Sequence, residues 1–123
     1  MTGCLYDANN QSEADQLVNR YHTLLKAGDV DGILALYNDV FFAEHNRKAW
    51  RAALLKQQKE YGVLQQVRQV YTQKDPRFRG DYYIYGYTLV FEHGKVSETI
   101  TVFKGIEDDT LTIAGHTLKV KKH

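Results

Sequence analysis

The apolar residues of this chain change their spacing at Gly62, and that change limits the folds open to it more than any other feature. From Ser12 to Tyr61 they recur at helical intervals; from Val63 to Val120 they alternate in pairs. A run of helices followed by a run of strands folds as an α+β domain, with the helices on one face of an antiparallel sheet. The expected architecture is three N-terminal helices packed on a curved, cone-like four-stranded meander.

In the first half, Ser12-Glu13-Ala14-Asp15 has the form of a capping box, a hydroxyl followed three residues later by an acid. Leu17, Val18, Tyr21, Leu24 and Leu25 then form one apolar stripe, and Gly28 stands where a helix C′ residue belongs. Asp29 caps a short second helix carrying Val30, Ile33, Leu34 and Tyr37, ended by Asn38-Asp39, and Val40-Phe41-Phe42 is buried in passing. Asn46 caps a third helix whose inner stripe is Trp50, Ala53, Leu54, Gln57 and Tyr61, stopped by Gly62. His22, beside the stripe residue Tyr21, is expected at the surface or rim. His22, Glu44 and His45 have no spacing of a metal site, so no metal and no cofactor is expected.

The second half predicts strands at about Val63 to Thr72, Asp81 to Glu92, Lys95 to Lys104 and Thr110 to Val120. Lys74 to Gly80 is a loop whose Arg77-Phe78-Arg79 tip could grip an anion. A turn at His93-Gly94 would pair Phe91 with Val96, Leu89 with Glu98, Tyr87 with Ile100 and Tyr85 with Val102. Strand side chains alternate, so all of these share one face, aromatic and aliphatic apart from Glu98. Thr88, Val90, Ser97, Thr99 and Thr101 occupy the other, an outer face suited to partial exposure or to a homodimer contact.

A carboxylate on a core face must find donors or take up a proton. Arg68, or a hydroxyl of Tyr83, Tyr85 or Tyr87, could serve Glu98 structurally. The sharper alternative makes Glu98 a general acid or base in a pocket also lined by Tyr37, Trp50, Tyr85 and Tyr87. His116 is its candidate catalytic partner. A three-residue turn at Glu107 to Asp109 would put His116 on the core face opposite Ile100; a two-residue turn would send it outward.

With 16 basic and 15 acidic side chains the net charge is +1, which gives no basic footprint for nucleic acid. Cys4 is the single cysteine, so no internal disulfide forms. Thr2-Gly3-Cys4 has the form of the end of a bacterial lipobox, which would make Cys4 a lipid-attachment site and residues 1–11 a flexible tether to a single α+β domain at 12–123. The chain would then belong to the cell envelope as a lipoprotein; a cytoplasmic protein with a stray thiol is the alternative.

The pattern Trp50, Gly62, Arg68, Gly80-Asp81-Tyr82-Tyr83, Tyr87, Phe91, Glu98, Asp108-Asp109 and Ala114-Gly115-His116 resembles the nuclear transport factor 2-like superfamily of cystatin-like folds. Its small bacterial domains of unknown function, many secreted or lipid-anchored, are the nearest in detail. Leu111, Asp109 and His116 stand where those domains usually have Trp, Gly and Tyr. The superfamily includes ketosteroid isomerases and scytalone dehydratases, but no residue here matches their catalytic motifs. The resemblance therefore implies a non-catalytic binding or accessory domain of the envelope. A small-molecule or enzymatic pocket using Glu98, and a dimerising interaction module, are the alternatives.

Overall fold

The computed structural model describes residues 2–77, 80–106 and 110–121, with side chains from Gln11 onward. Four helices come first: α1 (Thr2–Ala27), α2 (Val30–Leu34), α3 (Asp39–Glu44) and α4 (Arg47–Tyr61). Four strands follow: β1 (Leu64–Arg77), β2 (Gly80–Phe91), β3 (Gly94–Gly105) and β4 (Leu111–Val120). They form one antiparallel sheet in the order β1-β2-β3-β4. The period change at Gly62 therefore marks the border between the helical and sheet halves.

Local chemistry sets most element ends. Asp29, Asn38 and Asn46 each turn a side-chain oxygen onto a backbone N–H of the first helical turn behind them. Gly28 and Gly62 have φ of 75° and 79°, a conformation that lets the chain leave α1 and α4. Three helical expectations need correction. α2 stops at Leu34, and Tyr37, read as part of it, lies beyond its end in a bridge to Ile113, while Asn38 caps the next helix rather than ending this one. α1 starts at Thr2, so Ser12 lies inside it rather than capping it; nothing from Cys4 to Ser12 breaks a helix, and a capping pattern cannot stop one already running. The segment Asp39–Glu44, read as buried in passing, is a one-turn helix on the Asn38 cap, with Phe41 buried and Val40 exposed.

The β2–β3 hairpin turns on Glu92 and His93, so Phe91 pairs with Gly94, Leu89 with Val96, Tyr87 with Glu98 and Tyr85 with Ile100. This register lies two residues from the one predicted on a His93-Gly94 turn. A shift of two preserves strand parity, so every residue keeps its expected face. β1 continues through Pro76 to Arg77; an edge strand tolerates proline because its outward N–H needs no partner. Phe78, Arg79 and the Glu107 to Asp109 turn lie outside the described residues.

The core sits between α1, α2, α4 and the concave face of the sheet. Val18, Tyr21, Ile33, Leu54, Tyr83, Leu89, Ile100 and Ile113 are among its closed members. β4 is covered along its outer edge by the segment after α2, where the Ile113 N–H donates to the Leu36 carbonyl and the Asn38 N–H to the Ile113 carbonyl. No described residue covers the outer edge of β1 in this way.

Candidate functional site

Glu98 lies on the core face as its strand parity demands, with a side chain closed to solvent. Its Oε2 accepts the Tyr21 hydroxyl at 2.6 Å and His116 Nε2–H at 2.8 Å, and its Oε1 accepts His22 Nε2–H at 2.8 Å. Burial alone would raise this carboxyl; the imidazole N–H groups of His116 and His22 overcome it and hold Glu98 down at about 2. The predicted Arg68 partner is not there. Arg68 pairs with Thr88, an outer-face residue, and is exposed.

The hydrogen bonds continue behind His116. An indole N–H can only donate, so Trp50 Nε1 gives its proton to the Tyr37 oxygen at 3.0 Å. The Tyr37 hydroxyl is then free to donate to His116 Nδ1 at 2.6 Å, leaving the proton of that ring on Nε2, where Glu98 needs it. Every polar side-chain atom from Trp50 Nε1 to His22 Nε2 has a partner in this one arrangement. Burial and the nearby Glu98 charge push the Tyr21 hydroxyl far up; burial does the same for Tyr37, against the Trp50 hydrogen bond. Both remain donors.

Two residues of this row depart from, or resolve, their sequence readings. His22 was expected at the rim and is buried, 7% exposed, with its ring edge-on to Tyr87 at 4.6 Å. The apolar stripe of α1 alone did not reveal this, because a histidine next to a stripe looks the same whichever way it turns. The signal that could have found it is Glu98, which needs more donors than one. His116 faces inward opposite Ile100, the first of its two open placements. A β-bulge decides it: Val102 pairs with Ile113 but Thr101 with Gly115, so Ala114 is the extra residue. Continued without the bulge, the register would set His116 beside the outer-face Thr99.

The sequence-derived pocket residues separate into different surroundings. Tyr37, Trp50 and Glu98 belong to the polar row. Tyr85 donates to Asp15 Oδ1 at 2.6 Å and accepts from Gln11 Nε2 at 2.8 Å. Tyr87 lines a groove of about 450 Å³ that opens between α1 and β1. α1 contributes Asn19, His22, Thr23 and Lys26 to it, and β1 contributes Leu64, Gln65, Gln66, Val67 and Gln69. His22 is thus shared, touching Glu98 on one side and forming groove wall on the other. Among the described residues no Asp or Glu lines this groove.

Among the described residues no group of three or more His, Cys, Asp or Glu could hold a metal ion. His45 stacks on Phe41 at 4.3 Å, in surroundings unlike those of His22. Cys4 lies outside the residues whose side chains are described.

No family model matches the chain, and no curated protein matches it. Among solved structures it is similar to that of Bdellovibrio bacteriovorus Bd1075, with a TM-score of 0.63 at 14% identity. The match covers 90% of this chain and 40% of the other, so the chain spans less than half the length of that protein. At this identity the likeness is one of fold.

Proposed function

We propose that this chain is a non-catalytic binding domain of the nuclear transport factor 2-like kind, and that it holds its ligand in the groove between α1 and β1. The observation that carries the reading is the closure of Glu98. Its side chain has no exposed surface and already accepts three hydrogen bonds, so it has little capacity left to handle a substrate proton. The groove, by contrast, is open and lined by four carboxamides, Asn19, Gln65, Gln66 and Gln69, none of which bonds another described side chain. The helices-then-meander order and the fold likeness to a bacterial structure support the superfamily assignment.

Side-chain amide signals of those four residues are the natural NMR probes. Titration with acidic and basic peptides and a neutral oligosaccharide should move them, together with Tyr87. A ligand that moves the Trp50 indole and leaves the groove amides still overturns this reading, as does turnover of any substrate that depends on Glu98.

One observation favours a second, catalytic reading: His22 forms groove wall while its Nε2 rests on Glu98 at 2.8 Å, the arrangement of a general base held by a carboxylate. Under that reading His22→Gln abolishes turnover and leaves ligand binding within about threefold. Placement in the envelope rests on Thr2-Gly3-Cys4. Protein made from its native gene should enter the detergent phase and its Cys4→Ser form should not; equal partitioning removes the anchor.

A further inference from the structure

β1 is at once the free edge of the sheet and one wall of the groove. Across residues 65–73, no hydrogen bond among the described residues ties its backbone to anything but β2. Proteins ordinarily cover such an edge or load it with charge, because its outward N–H and C=O groups invite another strand. Here Arg68 is the single charged residue from Leu64 to Gln73, while Val67, Val70 and Tyr71 stand exposed. Register shifts at Gln65 and Val70 bracket a regular run, Gln66 to Gln69.

The chemistry around that run fits a peptide. A carboxamide donates and accepts side by side, as a peptide group does, and the groove carries four of them. Lys26 on the α1 wall is exposed and has no ion pair among the described residues, and Arg68 on the opposite side of β1 has none either. With no carboxylate in the groove, the local field favours an anionic ligand.

We propose that the groove takes an extended acidic peptide segment, which adds as a further strand to the β1 edge at Gln66 to Gln69. This rests on the binding-domain reading. Main-chain hydrogen bonds would supply affinity, and alternate side chains would face Lys26 on the concave side and Arg68 on the outer side.

The test titrates the labelled protein with an acetylated, amidated octapeptide that repeats Glu-Glu-Val-Val, which presents glutamate on both faces of an added strand. Three comparisons accompany it: the lysine and valine counterpart, a copy methylated on every backbone nitrogen, and chitotetraose. Expected are saturable shifts of the Gln66 to Gln69 backbone amides, with slowed hydrogen exchange there. N-methylation of the peptide, and separately Lys26→Glu in the protein, should each weaken binding at least tenfold; Lys26 is exposed, so folding is not at stake. Equal binding of the methylated peptide overturns strand addition, and equal binding of the basic peptide overturns the charge preference. Groove shifts from chitotetraose but not from the peptide overturn the peptide class and leave the binding-domain reading standing. Silence of the groove towards every probe overturns both.

Discussion

An ionised carboxylate removed from water costs several kcal/mol unless donors replace the lost hydration, and Glu98 meets that demand with Tyr21, His22 and His116. Glu98→Gln keeps the volume but turns an N–H₂ group towards a donor on at least one side. Urea unfolding should show a loss of roughly 3 kcal/mol; a loss below about 1 kcal/mol would mean the row is not a unit. The carboxyl is held at about 2 in the folded protein against an ordinary 4.5. A folded-state value below the unfolded one means that this stabilisation is complete above about 4.5. It fades as the pH falls and is gone once the pH passes below about 2. The difference in unfolding free energy between wild type and Glu98→Gln should shrink across that window, and a constant difference would refute the assignment. At this scale the sequence spoke clearly of one residue. Strand parity put Glu98 inside and so required partners, but its nearest donors come from a helix, β4 and no arginine at all. Partner identity is a matter of three-dimensional proximity, which parity does not encode.

Elements aim these residues, and β4 does so through a single extra one. Ala114 advances the β4 register by one residue against β3, which moves His116 from the outer face to the core. Deleting Ala114 should close the ladder into regular pairing, with Gly115 still opposite Thr101 and His116 still opposite Ile100. In urea unfolding it should therefore cost far less stability than His116→Ala, and the two losses should add, since only one of them removes the hydrogen bonds. A deletion as costly as His116→Ala would sink the bulge argument. The hairpin at Glu92-His93 teaches the opposite lesson. Its register differs by two from the predicted one and no side chain changes face, because the strand period is two. Helix ends show the same division. Asp29 and Asn46 were readable as caps because a cap acts within four residues, whereas the start of α1 depended on ten residues ahead of Ser12 that carry no stop.

At the scale of the molecule, the described residues leave the sheet with one covered edge and one open edge. The Ile113 N–H, bonded to Leu36 across the β4 edge at 2.9 Å, should exchange with solvent only on global unfolding. Those amides of Gln66 to Gln69 that point away from β2 should exchange orders of magnitude faster in the free protein. If they prove as protected as Ile113, another chain already covers β1. Such protection should then vary with protein concentration, as a second copy would require. The amino-acid sequence by itself determined the two-part architecture, the four-stranded meander and the face on which Glu98 lies. These follow from periods of 3.6 and 2, which are local properties of the chain and survive small errors of register. Only the tertiary structure decided that His22 turns inward, that His116 joins it on Glu98, and that a groove opens beside His22 along an edge left uncovered by the described residues. Those outcomes hang on one bulged residue and on the packing of α1 against the sheet, where contacts between distant residues compete and no local pattern records the winner.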